Sequence, residues 1–131
     1  MALARETDAT LVKPLETAVI RRFTAGSTIE AGEAVAVASD GAIDPADASA
    51  ITLAMALGVA LGPNDYVTGD RVDVVTHGPV VCLTGATIGD VVYVSDTAGE
   101  PSHTAGTKIS ILGMPESATV LFVSPQWISQ S

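Results

Sequence analysis

Residues 69–83 read Gly69-Asp70-Arg71-Val72-Asp73-Val74-Val75-Thr76-His77-Gly78-Pro79-Val80-Val81-Cys82-Leu83. Val72 and Val74 alternate with Arg71 and Asp73, the period of two that sends successive side chains to opposite faces of a strand. Gly69-Asp70 opens the run as a turn. His77-Gly78-Pro79 predicts a break, because proline has no amide proton to give a central ladder. Val80 to Leu83 then reads as a second strand pairing back on the first.

The same pattern of β-branched runs between Gly, Pro and Asp breakers extends to both sides. Residues 16–23 carry Val19 and Ile20 and predict the first strand, closed by Ala25-Gly26-Ser27. Residues 33–39 alternate around Val35 and Val37 and run into Asp40-Gly41, a strong tight-turn signal. Asp44-Pro45-Ala46-Asp47 predicts one helical turn, with Asp44 as N-cap and Pro45 at the first position. Residues 46–57 have the composition to prolong it, but the preferred reading is a turn followed by a strand through Leu57-Gly58-Val59-Ala60-Leu61. Gly58 suits a bulge or a close backbone approach. Gly62-Pro63-Asn64-Asp65 and residues 85–90 are turns. Residues 91–94, 108–114 and 118–123 complete the strands, with Pro115-Glu116-Ser117 between the last two.

Two segments repeat each other. Gly26-Ser27-Thr28-Ile29-Glu30-Ala31-Gly32-Glu33-Ala34-Val35-Ala36-Val37-Ala38 resembles Gly85-Ala86-Thr87-Ile88-Gly89-Asp90-Val91-Val92-Tyr93-Val94-Ser95, the first copy holding two extra residues, Glu30 and Ala31. Ala56-Leu57-Gly58-Val59 echoes Ile111-Leu112-Gly113-Met114. The expected fold is therefore all-β, a small β-barrel or sandwich built from two similar β units. Residues 1–14 show no period and form an extended N-terminal arm. The β domain spans 15–124, and 125–131 form a C-terminal tail.

Composition narrows the function classes. The chain has 131 residues, 47% of them hydrophobic, with twelve Gly, seven Pro and one Cys. A length of this order suits one domain. The net charge of −9 repels phosphate backbones and argues against nucleic acid as a partner. The charge is uneven. Arg5, Lys13, Arg21 and Arg22 face three acids in the first 22 residues, a net of +1, whereas Arg71 and Lys108 face the other twelve, a net of −10. The longest apolar stretch, residues 50–61, is interrupted by Thr52 and Gly58 and is too short to span a bilayer, so no membrane is expected as a partner. The start, Met1-Ala2-Leu3-Ala4-Arg5-Glu6, lacks the apolar core of a signal peptide. A single cysteine forms no disulfide within the chain and fits a reducing cytoplasm. Cys82, within an apolar run, reads as a small buried hydrophobe.

No motif for chemistry emerges. His77 and His103 lie far apart, outside the clustered ligand spacing of a metal site. Neither a nucleophile elbow nor a glycine-rich phosphate loop is present. Arg71 and Asp73 share an exposed strand face as charges usually do. No catalytic, cofactor-binding or metal-binding residue is expected, and the chain reads as a non-enzymatic structural or binding module. Arg5, Lys13, Arg21, Arg22 and Trp127 are the candidate contact residues. The first four are the cations of the leading segment, and Trp belongs to the residue types enriched at interface anchors.

The stretch from Gly69 to Gly85, with Ile88-Gly89-Asp90-Val91-Val92-Tyr93-Val94-Ser95, Ile111-Leu112-Gly113-Met114 and Ala118-Thr119-Val120-Leu121-Phe122-Val123, resembles a pattern of tailed-bacteriophage virion proteins. Gly32-Glu33-Ala34-Val35-Ala36-Val37 and Leu57-Gly58-Val59-Ala60 are similar to small phage capsid decoration (cement, head-stabilising) proteins. The resemblance covers residues 15–124 and is one of strands and turns. It implies a β-barrel-like subunit made in the host cytoplasm and carried on the capsid surface of the virion. Its partners would be the major capsid protein and itself as a homo-oligomer, a trimer over a symmetry axis. The arm would reach neighbouring capsid subunits. The family carries no catalytic residue or cofactor. Related modules occur in phage tail and fibre proteins, so a tail or fibre module is the alternative. A small β-barrel ligand-binding protein is the alternative from another class, and it requires a pocket with convergent polar groups.

Overall fold

In the computed structural model residues 3–129 are described, without the side chains of Ile51 and of residues 127–129. The elements in chain order are β1 (Ala4–Arg5), a 3-10 turn (Ala9–Leu11), β2 (Lys13–Pro14), β3 (Val19–Thr24), β4 (Ala34–Val37), β5 (Ile43–Pro45) and α1 (Ile51–Ala54). They continue as β6 (Gly58–Ala60), β7 (Arg71–Val81), β8 (Leu83–Thr84), β9 (Val92–Val94), β10 (Pro101–Ser102), β11 (Ile109–Pro115) and β12 (Val120–Ser129). The fold is all-β. Eight strands in the order β10-β9-β11-β12-β7-β6-β4-β5 form one antiparallel sheet curled into a half-barrel. Strands β2 and β3 add to β7, and β1 pairs with β8.

β7 runs unbroken for eleven residues, which corrects the break expected at His77-Gly78-Pro79 and the strand expected to return from Val80. The reason is local. Gly78 takes φ +115°, a conformation open to glycine, and the strand bends there rather than ending. The carbonyl of Pro79 accepts the Leu15 amide at 3.0 Å. The neighbours of β7 change at this bend: Val74 and Val75 pair with both β3 and β6, whereas Val80 and Val81 pair with both β2 and β12.

Both faces of β7 are used. Val72 and Val74 enter one buried cluster with Ile29, Val35, Ile43 and Ala60. Val75 and Val80 enter a second with Val92, Val94, Leu112, Leu121 and Val123. Burying a valine fully is worth roughly 1.5–3 kcal/mol over leaving it in water, so this strand alone ties two apolar clusters into one structure.

Two other expectations change. Asp44-Pro45 lies in β5, not at a helix start, because the hairpin closed by Ala38 N–H to the Ala42 carbonyl (2.8 Å) pairs Ala36 with Asp44 and Val35 with Pro45. A continuous ladder outweighs a local capping preference. α1 is a single four-residue turn, and the strand read through residues 57–61 is present as β6. The residues set apart as a C-terminal tail continue β12 as far as Ser129.

Among the described residues a β-turn with glycine third recurs four times. At Thr97–Glu100 the closing amide donates at 3.1 Å past Gly99 at φ +78°, and the other three share one geometry. In these the amides of Glu33, Asp70 and Asp90 donate to the carbonyls of Glu30, Val67 and Thr87 at 3.1, 3.0 and 3.2 Å. Their third residues, Gly32, Gly69 and Gly89, are all at φ +93°. Two of these turns belong to the repeated segments, and the third launches β7. Gly58 is different. A side-chain carbon there would collide with the Val75 carbonyl, the close backbone approach that its sequence context implies. Cys82 is buried, and burial pushes its thiol up to about 12.

These details set two expectations. Gly69→Ala, where a methyl group meets open space, costs about 1–2 kcal/mol in urea denaturation from the left-handed backbone alone. Gly58→Ala costs more, since the β6–β7 pairing must separate. Cys82 stays unreactive toward a thiol reagent at pH 8 in the folded protein and reacts once urea unfolds it; equal rates in both states would contradict the burial.

Candidate docking surface

Residues 13–24 form one flank of β7, and Leu11 and Val12 lead into it. Val12 is buried and anchors the segment, and Leu15 hydrogen-bonds to Pro79. The turn Leu15-Glu16-Thr17-Ala18 follows, closed by Ala18 N–H to the Leu15 carbonyl at 3.3 Å. Thr17 sits at φ +75°, strained for a β-branched residue. This turn crosses Gly78, where a side-chain carbon would lie 2.8 Å from Ala18 Cα. β3 then joins β7 with a register shift between Val19 and Ile20.

Among the described residues β7 is the only strand that pairs with β3. Its outer edge therefore presents unpaired backbone groups. Three large aliphatic side chains are exposed on this flank, Leu15, Val19 and Ile20, the last two 48% and 47% exposed, and Leu11 is exposed in the turn before it. Between and beyond them stand Lys13, Arg21 and Arg22, all exposed. Arg22 lies opposite Asp73 and pairs with it at 3.0 Å. Both groups are solvated, so this pair is worth at most about 1 kcal/mol. The Arg21 guanidinium stacks 5.1 Å from the centre of the Phe23 ring. Among the described residues neither Lys13 nor Arg21 has a carboxylate in ion-pair contact. Residues 11–24 hold three cations and one acid, Glu16, a net of +2 on a chain of net −9.

Lys13, Arg21 and Arg22 thus share one edge, and Arg5 does not. Arg5 is 8% exposed, and its guanidinium is turned inward. It donates to Glu30 Oε1 at 2.7 Å, to Glu100 Oε2 at 2.8 Å and to the Ala31 carbonyl at 3.1 Å. Glu30 belongs to the turn of the first repeated segment and Glu100 to the loop after the second, so Arg5 clasps the two units. Burial works against its charge, but Glu100 and Glu30 more than offset that and hold its proton more firmly. Glu33, beside this cluster, has its carboxyl raised from the usual value, chiefly by burial and despite the hydrogen bond from Glu30 N–H and the nearby Arg5. Trp127 lies on β12 opposite Ser110, and its side chain is outside the described set.

The aliphatic exposure of Val19 and Ile20 was not legible in the sequence, where both read as ordinary strand residues. An edge position gives no signal in a six-residue pattern. Elsewhere, His103 joins two loops, accepting Thr87 N–H at Nε2 (3.0 Å) with Nδ1 3.1 Å from the Val91 carbonyl. An apolar groove of about 310 Å³ lies between α1 and β4, lined by Val37, Thr52, Met55, Ala56 and Leu57. Thr52 is the one polar side chain among them. Among the described residues no group of three His, Cys, Asp or Glu is placed to hold a metal ion. No protein-family model matches the chain, and no curated protein matches it.

Arg5→Met leaves Glu30 and Glu100 without their cation and lowers stability by about 1–3 kcal/mol, the range for removing one partner of a partly buried charged network. Glu33 gives a pH signature. Its raised carboxyl means the folded state holds the proton more tightly than the unfolded chain. That contribution is complete below pH 4.5 and is lost as pH rises through the folded titration. Urea denaturation from pH 4 to pH 7 should therefore show Glu33→Gln gaining on the wild type as pH rises; a constant difference would contradict the assignment.

Proposed function

We propose that this chain is a virion structural protein of a tailed bacteriophage, a decoration protein that binds the outer face of the head shell and stabilises it as a homo-oligomer. The observation that carries this reading is the β2–β3 flank, a continuous edge of exposed aliphatic and cationic side chains on an otherwise acidic body. The likeness of its strands and turns to phage decoration proteins supplies the identity of the partner, the major capsid protein. Such a protein works by burying surface across neighbouring shell subunits. Each contact is weak, and an oligomer that engages several at once gains avidity without any new contact. The lining of the α1 groove favours a small-molecule binder less, since a pocket needs several convergent polar groups to orient a ligand.

Mixing the purified protein with expanded heads of tailed phages, stripped of their outer proteins, and sedimenting them tests the reading. Saturable co-sedimentation at a stoichiometry related to the shell symmetry is expected, together with greater resistance of the shells to heat. A protein that pellets with none of a panel of shells sinks the proposal for that panel.

A further inference from the structure

The edges of the sheet are not treated alike. At one end β5 is three residues long, contains Pro45 and is covered by a bridge from Ala25 to Ile43. At the other end β10 has two residues and begins with Pro101. The side of β12 beyond Val123 carries Pro125. Short strands, prolines and covering segments are the usual means of preventing stray pairing. β3 is neither short nor interrupted by proline, and the covering contact nearest to it, the Ala25–Ile43 bridge, begins just past its last residue, Thr24. β3 offers six residues without proline, and two of its exposed side chains, Val19 and Ile20, are aliphatic.

From this contrast we infer that the outer edge of β3 accepts an added strand, and that the strand is an extended segment of another protein in which acidic and aliphatic residues alternate. Taking the owner of that segment to be the shell subunit rests on the function proposed above. Strand addition satisfies the free amides and carbonyls of the edge, and alternate side chains of the guest meet the host's side chains on either face. On β3 those neighbours are Val19 and Ile20, followed by Arg21 and Arg22. Arg21, with Lys13 further along the flank, lacks a carboxylate partner among the described residues. Their complement is a strand bearing carboxylates.

A second copy of this chain fits the edge poorly. Two β3 strands pairing antiparallel about their midpoint set Arg21 and Arg22 of one against those of the other, and like charges directly opposite destabilise a ladder. Residues 124–129, which supply the free side of β12, contain no acid. The leading segment is already paired through β1 and β2.

The test uses a blocked nine-residue peptide of alternating valine and glutamate, followed by backbone amide shifts of the full chain in solution. Shift changes confined to residues 13–24 are expected. The valine–lysine counterpart should produce none. Methylating the peptide amides on one alternate set should abolish binding, and methylating the other set should not, because only one set faces β3. Lys13→Glu/Arg21→Glu, checked for an unchanged thermal transition, should weaken the acidic peptide about tenfold and turn the preference toward the basic one. Shifts centred on the α1 groove, binding indifferent to both methylation patterns, or no shift at millimolar peptide each overturn the inference. So does a concentration-dependent shift of β3 without peptide, which assigns the edge to a second copy. Peptide binding is independent of shell sedimentation, so either result can fail while the other stands.

Discussion

The burial of both faces of β7 is the constraint on which the rest of the structure depends. A strand that is apolar on one side needs one covering layer. A strand with Val72 and Val74 on one side and Val75 and Val80 on the other needs two. The chain meets this demand by curling its sheet, so that β4, β5 and β6 supply the first cluster, while β9, β11 and β12, with the opposite faces of β4 and β6, supply the second. Alternation alone puts the neighbours Val74 and Val75 in different clusters, and the bend at Gly78 carries the strand on so that Val80 joins the second. The bend also sets the path of the segment outside it, since the turn at residues 15–18 fits against the space that a side chain at position 78 would take.

Two devices hold the halves in place. Three of the glycine turns start β4, β7 and β9 with the same backbone geometry, and in the turns at Glu30 and Val67 the acid that closes the turn also accepts the opening amide. Arg5 then joins the two repeated units through Glu30 and Glu100. Its burial would be costly for a lone cation and is tolerable because two carboxylates and a carbonyl surround it. Glu33 shares this crowded acidic neighbourhood and holds its proton more tightly than a solvated carboxylate.

Arg5 serves the fold, whereas Lys13, Arg21 and Arg22 remain on the surface. They lie on the least protected edge of the molecule, against a background of net negative charge. A sheet edge of this kind is a hazard in a protein that works alone, and an asset in one built to be covered. This tension motivates both the proposed place on a phage shell and the proposed acidic guest strand.

Alternation, turn chemistry and composition determined by themselves that the chain is all-β and roughly where most strands lie, and they marked Gly58 as the site of a bulge or a close backbone approach. These features act over a few residues and leave a local mark. Tertiary structure decided that His77-Gly78-Pro79 bends β7 without ending it and that Asp44-Pro45 joins a hairpin. It also decided that Arg5 turns inward while Val19 and Ile20 face water. Each of these outcomes depends on a partner distant in sequence: Phe122 beside Pro79, Val35 beside Pro45, Glu100 beside Arg5, and an unoccupied outer edge beside β3. Local pattern carries no information about which neighbour the curled sheet supplies, and the neighbour settles whether an aliphatic or a charged side chain is buried.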